Sequence, residues 1–138
     1  MKNYGFIYFP NGCNHCGSPV EFVDSSIIYG KSYGMIYKCT KCDSYVGSHK
    51  PDYMYNQPLG RLANKIEREL KKEAHSLFDP LWKTGKIDTL MPDIIKTNSR
   101  KKAYIWLSKK LNISLDSCHI GHFTENTLRE VIEILKKT

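Results

Sequence analysis

Four cysteines in two close pairs are the residues of this sequence best suited to chemistry. Each pair has the form Cys-x-x-Cys, and the pairs span Cys13–Cys16 and Cys39–Cys42. A Cys-x-x-Cys turn directs two sulfurs at one ion, and two such turns complete the tetrahedral shell that zinc prefers. A closed shell of four sulfurs leaves no open position for water or substrate, so the metal is expected to be structural. We therefore predict one Zn²⁺ with the ligands Cys13, Cys16, Cys39 and Cys42.

Other uses of these cysteines depend on the compartment. The sequence has no apolar run long enough to cross a bilayer and no signal-like stretch after its first residues, so we expect a cytoplasmic protein. Cytosolic thiols stay reduced, which favours metal binding over disulfides or a redox Cys-x-x-Cys pair. His15 or His49 could replace one ligand in a three-cysteine shell. The fifth cysteine, Cys118, is left as a free thiol.

Tyrosines and lysines alternate along the segment between the two cysteine pairs. Tyrosine rings can stack on nucleic-acid bases, and lysines can neutralise phosphates. The alternative is that the tyrosines cover a ribbon too thin to have a core of its own. The candidate contacts to nucleic acid in this segment are Tyr29, Lys31, Tyr33, Tyr37 and Lys38.

A second group of basic residues follows in the C-terminal half. The net charge is +7, and the stretch from Lys96 to Lys110 contains no acidic residue. Such a balance favours acidic partners, above all nucleic acid, although a solvated helix face is the ordinary explanation for clustered lysines. The candidate phosphate contacts here are Arg100, Lys101, Lys102, Lys109 and Lys110.

The local patterns predict an α+β protein in which residues 1–58 form a four-cysteine zinc β-ribbon. Short runs of β-forming residues predict a lead-in strand over 4–9 and further strands at 20–23, 27–29, 35–38 and 44–46. The glycines of the stretch Gly30–Gly34 permit a tight reversal, so we expect the strands on either side of it to pair as a hairpin.

Residues 59–138 are predicted to form a mostly helical region, packed with the ribbon or linked to it. A first helix is expected from Gly60 to Asp79, where Pro80 disfavours its continuation. A connector over 83–99 has room for one short helix. The last two helices, over 100–111 and about 125–137, are expected to form an antiparallel hairpin; Asn112 stops the first of them and Thr124 caps the second.

Two histidine-containing pairs in this region suggest chemistry without completing a site. His75 lies four residues before Asp79, and Cys118 precedes His119 and His122. Either pair could belong to a second metal site or a catalytic group. Histidines packed at helix junctions are the commoner explanation, because no acidic constellation accompanies them.

Short motifs that run through nearly the whole chain carry a family resemblance. They are Cys-x-x-Cys-Gly-Ser-Pro (13–19), Ile-Tyr-Gly-Lys-Ser-Tyr-Gly (28–34), Cys-x-x-Cys (39–42), Tyr-Val-Gly-x-His (45–49), Pro-Leu-Gly (58–60), Ala-His-x-x-Phe-Asp-Pro-Leu-Trp-Lys (74–83), Ala-Tyr-x-Trp-Leu (103–107) and Cys-His-Ile-Gly-x-Phe (118–123). The sequence thereby resembles a family of bacterial and phage zinc-finger-containing proteins of unassigned function. The resemblance implies that the four cysteines are zinc ligands and that the helical part belongs to the same unit.

Three functions are compatible with these observations. The first is a non-enzymatic zinc- and nucleic-acid-binding (DNA-binding) accessory protein of phage or mobile-element type. The second is a protein-binding adaptor, or an inhibitor of a host or replication enzyme. The third is a metal-assisted nuclease using His119 and His122. No membrane association is expected, and no small-molecule substrate is evident.

Overall fold

The computed structural model describes residues 4–49, 56–95 and 97–138. Its contacts divide the chain into two compact units, Met1–Ile66 and Glu67–Thr138. Each unit has a hydrophobic cluster of its own. The architecture is mixed α+β, as predicted, with a small sheet near the N-terminus followed by helices.

The first unit is built on a three-stranded antiparallel sheet. Its strands are β1 (Val20–Asp24), β2 (Met35–Cys39) and β3 (Tyr45–Gly47), in the order β1-β2-β3. Val20 pairs with Cys39 at one end of the first ladder, and Asp24 pairs with Met35 at the other. Two short helices accompany the sheet, α1 (Tyr4–Tyr8) and α2 (Ser26–Tyr29).

Both short helices lie where strands were predicted. The predicted lead-in strand over 4–9 is wrong, because this segment forms the helix α1. The helix packs on β1, where the backbone of Gly5 lies close to the carbonyl of Val20. The strand over 27–29 and its hairpin are also wrong, since β2 pairs with β1. The Asp24 carboxylate accepts a hydrogen bond from the Ser26 N–H (2.8 Å), and this side-chain-to-backbone bond favours a helical turn over an extended strand.

Tyr37 is the centre of the first unit's core. Its ring has no solvent exposure and contacts the rings of Phe22, Phe9 and Tyr8, at centroid distances of 4.8, 5.4 and 5.9 Å. Its hydroxyl donates to the carbonyl of Asn56 (2.5 Å), which satisfies the polar end of a buried side chain.

In the described residues, four helices and two 3₁₀ turns follow the sheet, and they lie in the second unit except for the first two residues of the first of these helices. The helices are α3 (Lys65–Lys83), α4 (Lys86–Leu90), α5 (Ser99–Leu111) and α6 (Glu125–Lys136). The 3₁₀ turns span Leu115–Ser117 and Ile120–His122. Among the helices of the described ranges, none has both the length and the apolar character that a membrane crossing needs.

Two predicted limits of α3 are wrong. The helix begins at Lys65 because the chain before it runs beside β3, where Ala63 bridges Tyr45, and Leu62 is buried in the ribbon core. It also continues through Pro80, since Phe78 and Leu81 are buried on either side of the proline. Their burial outweighs the backbone hydrogen bond that proline removes.

The limits predicted for the last two helices, 100–111 and about 125–137, are confirmed to within one residue. The connector contains α4, Asn112 ends α5 in the left-handed conformation (φ 56°), and the Thr124 side chain accepts from the N–H of Thr127 at the start of α6. Helices α5 and α6 both bury residues in the second unit's core. Their antiparallel orientation stays a prediction.

Candidate metal centre

The first cysteine pair lies on a turn that leads into β1. The N–H of Cys13 donates to the carbonyl of Ser18 (2.8 Å), and the N–H of Gly17 donates to the carbonyl of Cys13 (2.8 Å). Gly17 has a φ of 77°, a conformation that glycine adopts without a steric penalty. The turn leaves the N–H of His15 3.3 Å from the Cys13 sulfur, where it can donate to a thiolate.

The second cysteine pair starts at the last residue of β2. The N–H of Cys39 donates to the carbonyl of Ser44 (2.9 Å), and the N–H groups of Lys41 and Cys42 both lie 3.4 Å from the Cys39 sulfur. Because Cys39 pairs with Val20, which follows the first turn closely, the β1–β2 ladder places the two cysteine pairs side by side.

The four sulfurs form one compact group. All four Sγ atoms lie within 4.8 Å of one another, with separations of 3.6 Å between Cys13 and Cys42 and 3.4 Å between Cys16 and Cys39. Zinc–sulfur bonds of about 2.3 Å in a tetrahedron require sulfurs about 3.8 Å apart. The group can therefore hold one zinc ion. In the parts of the chain that the structure describes, no other group of metal-ligating atoms is as close.

The four thiols have different electrostatic surroundings. Burial raises the pKa of Cys13 to about 11, whereas hydrogen bonds from the Ser18 hydroxyl and N–H lower the pKa of Cys16 to about 6. Burial also acts to raise the pKa of Cys42, but bonds from the Ser44 hydroxyl and N–H lower it overall. A buried thiolate at Cys13 needs a cation beside it, and zinc supplies one. These two serines are supporting residues that the spacing of the cysteines did not reveal.

The two histidines considered as substitute ligands have other contacts. The Nε2 atom of His15 lies 3.2 Å from the carbonyl oxygen of Leu62, and Asn14 exchanges two hydrogen bonds of 3.0 Å with the backbone of the same residue. The backbone N–H of His49 donates to the carbonyl of Gln57 (2.8 Å). A four-cysteine group without histidine is the arrangement present.

The tyrosine and lysine candidates of the ribbon fall into two environments. Tyr29, Lys31 and Tyr33 are exposed. The assignment of Tyr37 as a base contact is wrong, because a ring with no exposed surface has no free face for stacking. Lys38 is half-buried, and its Nζ donates to the carbonyl of Cys39 (3.0 Å).

A groove of about 390 Å³ opens beside the exposed tyrosines, and we call it the tyrosine groove. Tyr29 stands edge-on to Tyr33 and Tyr45, with ring centroids 5.7 and 6.2 Å apart. The hydroxyls of Tyr29 and Tyr45 lie 3.1 Å apart. The lining also includes the apolar side chains of Met35 and Leu59 and the polar residues Ser25, Ser48, His49 and Asn56. Three tyrosine rings thus line a concave surface that is mostly apolar.

The basic residues of α5 do not form one stripe. Successive residues of a helix are rotated by about 100°, so Arg100, Lys101, Lys109 and Lys110 project in different directions. The assignment of Lys102 as a phosphate contact is wrong, since its side chain is buried and its Nζ lies 2.6 Å from the Asp88 carboxylate. Lys96, at the start of the acid-free stretch, lies outside the described residues.

The two histidine-containing groups of the second unit have different neighbours. His75 lies 3.8 Å from Asp79 on α3, while the rings of His119 and Tyr104 are 6.3 Å apart. His119 and His122 stand edge to face at 5.8 Å. The position of Tyr104 between Phe78 of α3 and the ring of His119 was not evident from sequence spacing.

The sequence matches one family of known proteins. No match was found among curated proteins or among solved structures. A family model for a zinc-finger-containing domain matches residues 9–138, a range that includes all four clustered cysteines and both units almost entirely. The match extends over nearly the whole sequence, and the chain therefore belongs to the family of this zinc-finger-containing domain.

Proposed function

We propose that this protein is a non-enzymatic nucleic-acid-binding module that holds one structural zinc ion through Cys13, Cys16, Cys39 and Cys42. The observation that carries the proposal is the tyrosine groove: Tyr29 and Tyr33 expose 53% and 72% of their surface beside a concave apolar wall. Aromatic side chains grouped on one exposed surface are typical of interaction sites, and bases are ligands that stack on such rings.

The zinc group and the groove share a strand, which gives the metal a role in binding. Strand β2 begins at Met35 in the wall of the groove and ends at Cys39 in the cysteine group. An ion held at Cys39 therefore fixes one end of the strand that carries the groove. In this proposal zinc performs no chemistry, because four sulfurs fill its coordination shell.

The charges near the groove suit a polyanion. The Lys31 ammonium lies 5.9 Å from the centre of the Tyr33 ring, so a cation accompanies the aromatic surface. The net charge of +7 adds long-range attraction for phosphates. The groove has room for an unpaired base, which favours single-stranded over double-stranded nucleic acid as the ligand.

Binding of fluorescent oligonucleotides at low salt tests the proposal. We expect single-stranded DNA or RNA to bind the zinc-loaded chain, with an affinity that falls as salt increases. Tyr33→Leu removes a stacking surface and keeps an apolar side chain. Because stacking contributes about 1–3 kcal/mol per base, this variant should bind roughly 5- to 150-fold more weakly.

The matched control is Phe6→Leu, which changes an aromatic residue of the same unit that is 64% exposed and lies outside the tyrosine groove. Its affinity should equal that of the unaltered chain. An absence of binding to any oligonucleotide at low salt would sink the proposal. Equal weakening by the two substitutions would show that the groove is not the binding surface.

Protein binding is a second candidate function, and the surface of α1 favours it. Phe6 and Ile7 expose 64% and 56% of their surface next to each other, and exposed apolar neighbours of this kind are found at protein interfaces. A stoichiometric protein that co-purifies after nuclease treatment, and is lost with Phe6→Asp but kept with Tyr33→Leu, would support an adaptor or inhibitor role.

A further inference from the structure

A cluster of titratable side chains in the second unit takes no part in the zinc group or the tyrosine groove. Its members come from three parts of the chain that are distant in sequence. We call it the imidazole cluster, and its residues are Lys71, His75, Asp79, Arg100, Tyr104, His119 and His122.

Tyr104 connects the three parts. Its ring packs on Phe78 of α3, with centroids 4.7 Å apart, and lies 6.3 Å from the ring of His119. The Arg100 guanidinium carbon stands 5.2 Å from the centre of the same ring, one turn earlier on α5. Tyr104 is partly buried against the core of the second unit, and both a cation and an imidazole lie beside its ring.

Helix α3 adds a row of residues spaced by one turn. Lys71, His75 and Asp79 are four positions apart, and such residues share one face of a helix. Partial burial lowers the pKa of His122, and the charges of His119 and Lys71 lower it further. Burial also raises the pKa of Tyr104, and Asp79 adds to the rise while Arg100 opposes it.

The chemistry of the cluster suits an anion better than a cation. Lysine and arginine side chains such as those of Lys71 and Arg100 donate N–H groups and accept none, imidazoles can donate N–H groups, and the phenol can donate an O–H group. Asp79 is the one carboxylate in the set, and it accepts a hydrogen bond from Trp82 Nε1 (3.2 Å) beside His75. The ligating atoms of this set do not approach one another closely enough to be grouped as a metal site in the described structure.

We propose that the imidazole cluster binds a phosphate group, with Arg100, His119 and His122 as its principal donors. His119, His122 and Arg100 are exposed, so a ligand can reach them without a change in the fold. The Arg100 guanidinium and the His119 ring both lie beside Tyr104, and His122 lies beside His119, so donors from two segments of the chain are grouped at one place. The site is separate from the tyrosine groove, and the nucleic-acid proposal does not depend on it.

Side-chain NMR of the full, zinc-loaded chain tests this inference. The chain has five histidines, and His15 and His49 in the first unit serve as internal controls for the three in the cluster. Sodium phosphate is titrated near pH 6.5 against sodium chloride of equal ionic strength. We expect saturable shifts of the His119 and His122 ring signals with phosphate, and unchanged His15 and His49 signals.

Two substitutions on α5 form a matched pair. Arg100→Gln removes a proposed donor and should weaken phosphate binding about tenfold, the loss expected for one charge-assisted hydrogen bond. Lys109→Gln removes an exposed cation of the same helix and should change nothing. Unchanged His15 and His49 signals, together with unchanged helical circular dichroism, show that each variant is folded.

The source of the phosphate is identified by two oligonucleotides that differ only in a 5′-phosphate or a 5′-hydroxyl. Shifts with both indicate the nucleic-acid backbone, and shifts with the phosphorylated one alone indicate a terminal or free phosphate; either result supports the site. Unsaturable shifts, equal movement of all five histidines, or equal weakening by the two substitutions would overturn it.

Discussion

Tyr33 and Tyr37 are four residues apart, yet one is 72% exposed and the other has no exposed surface. The first borders the tyrosine groove, and the second fills the core of the ribbon. Lysines of α5 divide in the same way, since Lys102 is buried against Asp88 while Lys101 and Lys109 face solvent. The chemistry available to each side chain is therefore set by its neighbours in space.

The Lys102–Asp88 pair leads to a prediction at this scale. Asp88→Asn should lower the free energy of unfolding of the second unit by about 1–3 kcal/mol, because the buried ammonium loses its carboxylate. Urea unfolding followed by tryptophan fluorescence measures this, since both tryptophans, Trp82 and Trp106, belong to the second unit.

A double substitution separates this pairing from a general effect of the mutation. Lys102→Met combined with Asp88→Asn removes both charges and should recover most of the lost stability, as expected for coupled residues. Glu133→Gln, an exposed substitution on α6, should change the free energy of unfolding by no more than about 0.5 kcal/mol. A double variant that is as unstable as the sum of its parts would contradict the coupling.

Local sequence preference and tertiary contact compete at the level of whole elements. Residues of α1 favour a strand by type, but the chain there packs as a helix on the β1 edge through Gly5. Pro80 favours the end of a helix, but buried neighbours carry α3 to Lys83. Where preferences agree with packing, as at Asn112 and Thr124, the predicted helix limits are confirmed.

The close packing of α1 on β1 can be tested by adding one methyl group at residue 5. An alanine side chain at residue 5 would clash with the carbonyl of Val20, which is backbone and cannot turn away. Gly5→Ala should therefore destabilise the zinc-loaded first unit by about 1–3 kcal/mol, as overpacking does. Hydrogen exchange of the β1–β2 amides measures the loss.

The control for this substitution is Ile7→Ala on the same helix. Ile7 is exposed, and alanine favours helix, so the exchange rates should change little. Similar protection in the Gly5 variant and the unaltered chain would show that α1 does not pack on β1 as described.

Across the whole molecule, the two units differ in what stabilises them. The first unit has a small core around Tyr37 and the cysteine group, and the second has a larger apolar cluster from its helices. Small cores of this kind are often stabilised by a metal, which contributes on the order of 10 kcal/mol in zinc-dependent peptides. The second unit has an apolar core to which the cysteine group does not contribute.

Removal of the metal should therefore affect the units unequally. We expect a chelator to abolish the dispersed NMR signals of the first unit, while helical circular dichroism and tryptophan fluorescence are largely retained. Cys16→Ser should weaken zinc binding, and Cys118→Ala should keep one zinc per chain, because the buried Cys118 is not part of the metal group. Persistence of the first unit's signals without metal would contradict a structural role for the ion.

The sequence by itself determined the zinc group, the α+β class and the limits of α5 and α6. These features depend on signals within a few residues: the Cys-x-x-Cys spacing, the caps at Asn112 and Thr124, and the apolar periodicity of the helices. Because these signals are local, the sequence did not predict features that depend on distant residues. Which tyrosine is buried, which lysine is paired and which rings lie beside His119 depend on residues far apart in the chain.

The tertiary structure alone decided those points. Ladder pairing of Val20 with Cys39 brings the two cysteine turns together. Tyr104 of α5 packs against Phe78 of α3 and lies beside His119, which brings side chains from three distant segments together. Burial then separates core residues from surface residues of the same type. Contacts between distant segments have no short-range pattern, so the surfaces proposed here for nucleic acid and phosphate became visible only in the folded chain.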